Sequence, residues 1–342
     1  METCRTEGAG KHAFVADLGY SLGAVACTLK ESEAAGRLNS TAADLGEAGF
    51  HTHHVCPPGV TSYDLAREAV GQVVGHAVGN FAGQGAGDAP VDAIVYSTCL
   101  PHNGSVSDLA AWEASKDVKH LMDFPASRLQ ADLDIGEPVV FGLNQQGCTG
   151  MLGAVRLAGA LLAGEPDWER VLCVSADRFP PGARYEQSYS VISDGAAACV
   201  VSSRPGPGAL RLVAAHQITN GGLHAASDDA TVGTFFSYVP RLVRQTAERA
   251  GLSVGDFDWV VPQNTNQNAW LLLSRLLGID HGRVWQSTLA DVGHAISADN
   301  IINLKALLAT GRVEPGQRIL LVMAGHGLNW QAVVLEATEY IR

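Results

Sequence analysis

Positive charge is what this chain most lacks. Its 23 lysines and arginines face 35 aspartates and glutamates, for a formal net charge of −12. That balance leaves no electrostatic footprint for nucleic acid or for an anionic membrane. A disulfide framework is missing too. Seven cysteines, an odd number, stand far apart at 4, 27, 56, 99, 148, 173 and 199, which points to a reducing compartment. The opening METCRTEGAGKH lacks the basic-then-apolar run of a secretory signal. Unbroken apolar runs stop short of the roughly 18 residues of a membrane span. A cytoplasmic, soluble protein is therefore expected. The ligand types in HTHHVC at 51–56 have no second cluster to complete a zinc site. AGHGLN at 324–329 lacks the lysine of a phosphate loop. Neither a metal nor a bound cofactor is expected.

What is present is globular: 342 residues, 46% hydrophobic and 17% charged. Continuously apolar runs read as strands buried on both faces: 91–97, 137–143, 170–176, 196–202, 258–264 and 318–324. Helical patterns fall between several of them, at 61–79, 151–163, 238–251, 267–278 and 300–310. Alternation of this kind predicts an α/β fold.

The chain also repeats itself. YDLAREAVGQVVGHA…VDAIVYSTC echoes VPRLVRQTAERAGLSVGDFDWVVPQNT, and GCTGMLGAVRLAGALLAGEPDWERVLCVSAD echoes GHAISADNIINLKALLATGRVEPGQRILLVMAG. Two duplicated halves, 1–205 and 206–342, are expected, joined near SSRPGPGAL. Asp92 to Cys148 spans 56 residues and Asp258 to His294 only 36. The excess is placed at an insertion near 103–123, either a functional lid or binding loop or a tolerated surface or dimer-contact segment.

The first site candidate is Cys148, in NQQGCTGMLG at 144–153. Flanking glycines permit a tight turn, and the apolar run behind it predicts a helix. A thiol at a helix N-terminus is favoured as thiolate, the nucleophilic form. In the duplicated scheme His294 occupies the equivalent position of the second half, so a nucleophile and a base meet from distant stretches.

With those residues in place, the chain resembles the ketoacyl synthase III branch of the thiolase superfamily. NQQGCTGML resembles its nucleophile elbow, SDGAAACVV at 193–201 its Gly-Asp-Gly-Ala strand, FDWVVPQNTN at 257–266 its Pro-His-Gln-Ala-Asn segment, and AGHGLNW at 324–330 its C-terminal glycine loop. The resemblance implies a five-layered αβαβα thiolase fold and a homodimer, with strands such as 91–97 near its axis. It also implies an oxyanion hole from the backbone N–H groups of Cys148 and His326. Three departures matter. Ser193 replaces a glycine, Gln263 stands at the family histidine, and His294 stands at the family asparagine, with Asp299 five residues on. Cys-His-Asp resembles the family's acyltransferase offshoot, in which a carboxylate-oriented histidine activates an acceptor. Asp299 read alone is a first-turn acid, with Ser297 as a capping residue. Gln263, Asn266 and His102 are expected to border the pocket.

The expected activity is acyl transfer from a thioester, on a carrier protein or coenzyme A, through acyl-Cys148 to a hydroxyl or amine of a small-molecule acceptor. The alternatives are a decarboxylating condensing enzyme, a thioester hydrolase and a non-catalytic synthase partner. LNSTAADLGEAGFHTHH lacks the tryptophan and arginine with which the family clamps adenine, which favours a carrier-bound donor. An acidic carrier needs a basic patch, for which Arg241, Arg244 and Arg249 share one predicted helix.

Overall fold

The computed structural model describes residues 12–80, 91–100, 109–223, 225, 227–326 and 328–341. Nine strands form one mixed sheet: β1 (Phe14–Leu22), β2 (Ala93–Ser97), β3 (Val139–Leu143), β4 (Arg170–Asp177), β5 (Gly195–Ser202), β6 (Leu210–Thr219), β7 (Trp259–Pro262), β8 (Arg318–Gly325) and β9 (Asn329–Ala337). Their spatial order is β7-β8-β9-β6-β1-β5-β4-β2-β3. Outward from the β1/β6 pair the two sides follow one pattern. β1 pairs antiparallel with β5, β5 antiparallel with β4, and β4 parallel with β2, which is parallel to β3. On the other side β6 pairs antiparallel with β9, β9 antiparallel with β8, and β8 parallel with β7. A single parallel bridge from Val260 to Val284 stands where a fifth strand would follow.

Five long helices complete the layers: α1 (Ser62–Asn80), α2 (Gly150–Gly164), α3 (Asp228–Arg249), α4 (Gln267–Leu277) and α5 (Asp299–Ala309). α2 packs on β2, β4 and β5 but also on β9, and α5 packs on β7 and β8 but also on β1 and β5. Both therefore lie between the two sides of the sheet. α1 covers the outer face of β1, β4 and β5, and α3 that of β6, β8 and β9. The layers read αβαβα, the thiolase fold. The sequence explains the middle layer: α2 is GMLGAVRLAGALLAG, buried at Gly150 through Val155, Ala158 and Leu162. A helix apolar nearly all round must be enclosed. Residues 147–164, at mean hydropathy 1.3, are long and apolar enough to cross a membrane by composition, yet 56% of that stretch is buried inside the protein.

Two readings need correction. The helix expected over 238–251 starts ten residues earlier, because Ser227 caps it by accepting the Ala230 N–H at 3.2 Å; Pro240 thus lies inside the helix. β2 cannot meet a partner copy, since β3 and β4 flank it; the free edge belongs to β3. Of the 103–123 insertion, 103–108 lie outside the described residues. The remainder forms a helix, Leu109–Ser115, and a 3-10 turn, Val118–Leu121.

Candidate active site

Cys148 lies in a 3-10 turn, Gly147–Thr149, that runs directly into α2. The turn exists because two glycines let separate backbone segments touch. Gly147 has φ +51°, and a Cβ there would stand 2.5 Å from the His326 carbonyl oxygen. A Cβ on Gly325 would stand 2.7 Å from the Cys148 nitrogen. The elbow and the turn after β8 are thus pressed together, which brings the Cys148 and His326 amides side by side. Opening N–H groups of a helix have no intrahelical acceptor.

His294 is aimed from both ends. Its N–H donates to Val191 O at 2.7 Å, and its carbonyl accepts from Ser193 N at 2.9 Å. Ser193, the residue that departs from the family glycine, donates through Oγ to Val292 O and accepts the His54 N–H at 2.7 Å. Asn264 donates to Gly293 O at 2.8 Å and to Thr288 Oγ1 at 2.9 Å. After His294 the chain doubles back through Ile296, whose φ is +54°. That conformation costs a β-branched residue about 1–3 kcal/mol, and it returns Asp299, the first residue of α5, to the imidazole. His294 Nδ1 stands 2.5 Å from Asp299 Oδ2. Asp299 also accepts N–H bonds from Ala295 at 2.6 Å and Asn264 at 2.7 Å, and is fully buried. Ser297 does not cap α5; its Oγ donates to Gly147 O at 3.3 Å, tying the histidine loop to the elbow.

With Nδ1 committed to Asp299, Nε2 is left for Cys148, which lines the same cavity and helps raise the imidazole's pKa. Burial by itself would lower the His294 pKa, but the Asp299 charge and hydrogen bond, with help from Cys148, lift it to about 10. Cys148 moves the opposite way. A hydrogen bond from the Cys99 thiol and the nearby His294 hold its pKa well below the ordinary thiol range, against burial, which would raise it. Both shifts run in the direction that favours a thiolate beside an imidazolium.

A cavity of about 440 Å³ opens onto this pair. Cys148, His294, Gln263, Asn266 and His326 line it, with an apolar wall that includes Leu100, Phe179, Ile192, Phe235 and Leu328. Asp299 stands behind His294. Gln263 accepts the Ala324 N–H through Oε1, so its amide nitrogen is the group left for a ligand. Asn266 caps α4, accepting the Asn268 N–H at 2.8 Å. His102 lies outside the described residues. Arg241 and Arg249 line a separate cleft with His216, and Arg244 donates to Leu276 O at 3.0 Å, so none of the three lines the cavity. Both ring nitrogens of His53 in HTHHVC are occupied, by Ser32 Oγ at 2.7 Å and Ile192 O at 2.8 Å.

Sequence reasoning missed Cys99, which lines the cavity with Cys148. Its signal was position: it follows β2, and in α/β sheets ligands gather at the carboxyl ends of strands.

Family models reach two stretches of the chain. Residues 143–221 match 3-oxoacyl-[acyl-carrier-protein (ACP)] synthase III, and residues 247–337 match the C-terminal part of the same family. β-Ketoacyl-[acyl-carrier-protein] synthase III of Chlamydia caviae is 30% identical over 246 residues, covering 63% of this chain and 72% of that protein. The crystal structure of 3-oxoacyl-(acyl carrier protein) synthase III from Pseudomonas aeruginosa superposes with TM-score 0.75 at 23% identity, over 96% of this chain and 99% of that one. The structure of ChlB3, described as an acyltransferase, gives TM-score 0.75 at 20% identity, over 96% and 98%.

Proposed function

Since this chain belongs to the 3-oxoacyl-[acyl-carrier-protein] synthase III family, we propose that it keeps the family's acyl-cysteine and uses it for acyl transfer instead of condensation. One observation carries this reading: the imidazole beside Cys148 in the cavity is backed by a carboxylate, His294 Nδ1 to Asp299 Oδ2 at 2.5 Å. The Cys148 thiolate attacks the carbonyl of an acyl thioester. The Cys148 and His326 N–H groups receive the developing oxyanion. The departing thiolate takes the imidazolium proton, which leaves His294 neutral. His294 then removes the proton from a hydroxyl or amine as it attacks the acyl-enzyme, and Cys148 leaves as thiolate. The donor thioester is carried by coenzyme A or by a carrier protein's phosphopantetheine arm; the acceptor is a small natural-product molecule.

Decarboxylative condensation asks for neutral donors to gather an enolate's charge. Here one donor position holds Gln263, which donates but exchanges no proton, and the other holds a base. Acylated enzyme mixed with isotope-labelled malonyl thioester should release no appreciable carbon dioxide and make no chain-extended product, while a hydroxyl acceptor is acylated. Labelled carbon dioxide together with a β-ketoacyl product would overturn the reading in favour of a ketosynthase.

Two copies are proposed to pair along the free edge of β3. Val139 and Val140 on it are 47% and 43% exposed, and an open edge presents unpaired backbone groups. Light scattering at micromolar concentration should return about twice the 35.9 kDa chain mass. A single-chain mass at that concentration rules the pairing out.

A further inference from the structure

The reaction above gives Cys99 no task, yet its position is constructed with care. The loop that carries it hangs on one carboxylate: Asp177, buried, accepts from Thr98 Oγ1 at 2.7 Å, Cys99 N at 2.8 Å and Leu100 N at 3.1 Å. This holds Cys99 at the end of β2, beside the elbow. Both side chains line the same cavity, and the two thiols are near enough for each to shift the other's pKa. Any small reagent that reaches one sulfur reaches the other.

We propose that Cys99 is the resolving thiol of an oxidisable pair, closing a reversible disulfide to Cys148 after a hydroperoxide has attacked the nucleophile. In the first step the Cys148 thiolate attacks one peroxide oxygen. The O–O bond breaks, the other oxygen leaves as alcohol or water after taking a proton, and Cys148 becomes a sulfenic acid. In the second, the Cys99 sulfur attacks the Cys148 sulfur. The S–O bond breaks, and the hydroxyl departs with the Cys99 proton as water. Two thiols and one peroxide yield a disulfide, an alcohol or water, and water; the sulfurs together lose the two electrons that the peroxide gains.

The order of events suits the local charges. Thiolate character selects which cysteine is oxidised first, and Cys148 has it, through Cys99 and His294. Cys99 is held protonated by its hydrogen bond to Cys148, by burial and by the Cys148 negative charge. Sulfenylation removes that charge at the step where Cys99 must become the nucleophile.

The molecule supplies its own comparison. Cys173 on β4 and Cys199 on β5 stand directly opposite in the antiparallel register. Both are 0% exposed, and burial raises the Cys173 thiol well above its ordinary range. That pair is adjacent but fully buried, lines neither described cavity, and has Cys173 shifted away from the thiolate, so it is expected to stay reduced. Proximity alone is therefore not what singles out 99 and 148.

The test reads mass, so its outcome is independent of which acceptor the acyl group goes to. The full chain is treated with hydrogen peroxide, alkylated under denaturing conditions and mapped by peptide mass spectrometry. Wild type should lose two hydrogens and two alkylatable thiols, with a 99–148 linkage that dithiothreitol reverses. Cys99→Ser, with Cys99→Ala as a second variant if the first folds poorly, should instead gain two oxygens on Cys148 and resist dithiothreitol. Wild type passing to the sulfinic acid with no linkage would overturn the proposal, as would a 173–199 linkage forming at equal rate. Because the wild-type map alone can refute it, the proposal does not depend on either variant.

Discussion

Cys148→Ala should carry no acyl group at all. Incubated with a donor thioester that loads the wild type, the variant should keep its unmodified mass, and transfer should fall by up to about 10⁶-fold, the scale seen when a covalent nucleophile is removed. The size follows from the site's economy: among the described residues Cys148 is the one sulfur that combines a helix start, an adjacent imidazole and backbone amides across the Gly147/Gly325 contact. The other described thiol lining the cavity is Cys99, whose pKa is raised beside Cys148. An adduct persisting in Cys148→Ala at comparable rate would place the acyl group on a different residue and remove the basis of the mechanism.

How much of this was legible depended on whether the signal was local. α2 declared itself because fifteen residues without a charge beyond Arg156 can only be enclosed. β2, β4 and β5 did so for the same reason: each is buried on both faces. β6 is the opposite case. Its residues are half-buried almost throughout, so neither an apolar run nor a clean alternation marks it, and β1 is interrupted by an irregularity between Ala16 and Gly19. Within the site, Cys148 and His294 were readable from glycine context and from the internal repeat. The Asp299 spacing alone left a first-turn acid open as the alternative reading; what decides its placement is the left-handed turn at Ile296, a conformation that nothing in an isoleucine announces. Cys99 acts on Cys148, 49 residues on, and Asn264 bonds Gly293 and Asp299, 29 and 35 residues on, separations over which a single sequence carries no pairing information.

Removing the base should split the reaction in two. His294→Ala keeps Cys148 and both amides, so the enzyme should still load, slowly, while transfer to acceptor drops by roughly 10²–10⁴-fold, the usual share of general acid–base catalysis. Asp299→Asn tests the same machinery by pH. In the wild type, burial works against the imidazolium and the Asp299 charge overcomes it, holding His294 at about 10. Without that charge burial prevails, the imidazolium is lost near neutrality, and Cys148 loses one of the groups that keep it ionised. The midpoint for iodoacetamide alkylation of Cys148 should therefore move upward, toward the ordinary thiol value of about 8.5. The stability consequence has a defined sign. A histidine raised on folding stabilises fully below its unfolded value of 6.5, and the contribution disappears as pH climbs through about 10. The melting gap between wild type and Asp299→Asn should accordingly narrow from neutral pH toward pH 10. Transfer at wild-type rate in His294→Ala, or an alkylation midpoint unmoved in Asp299→Asn, means that another group takes the acceptor's proton and that the carboxylate serves only the turn it anchors.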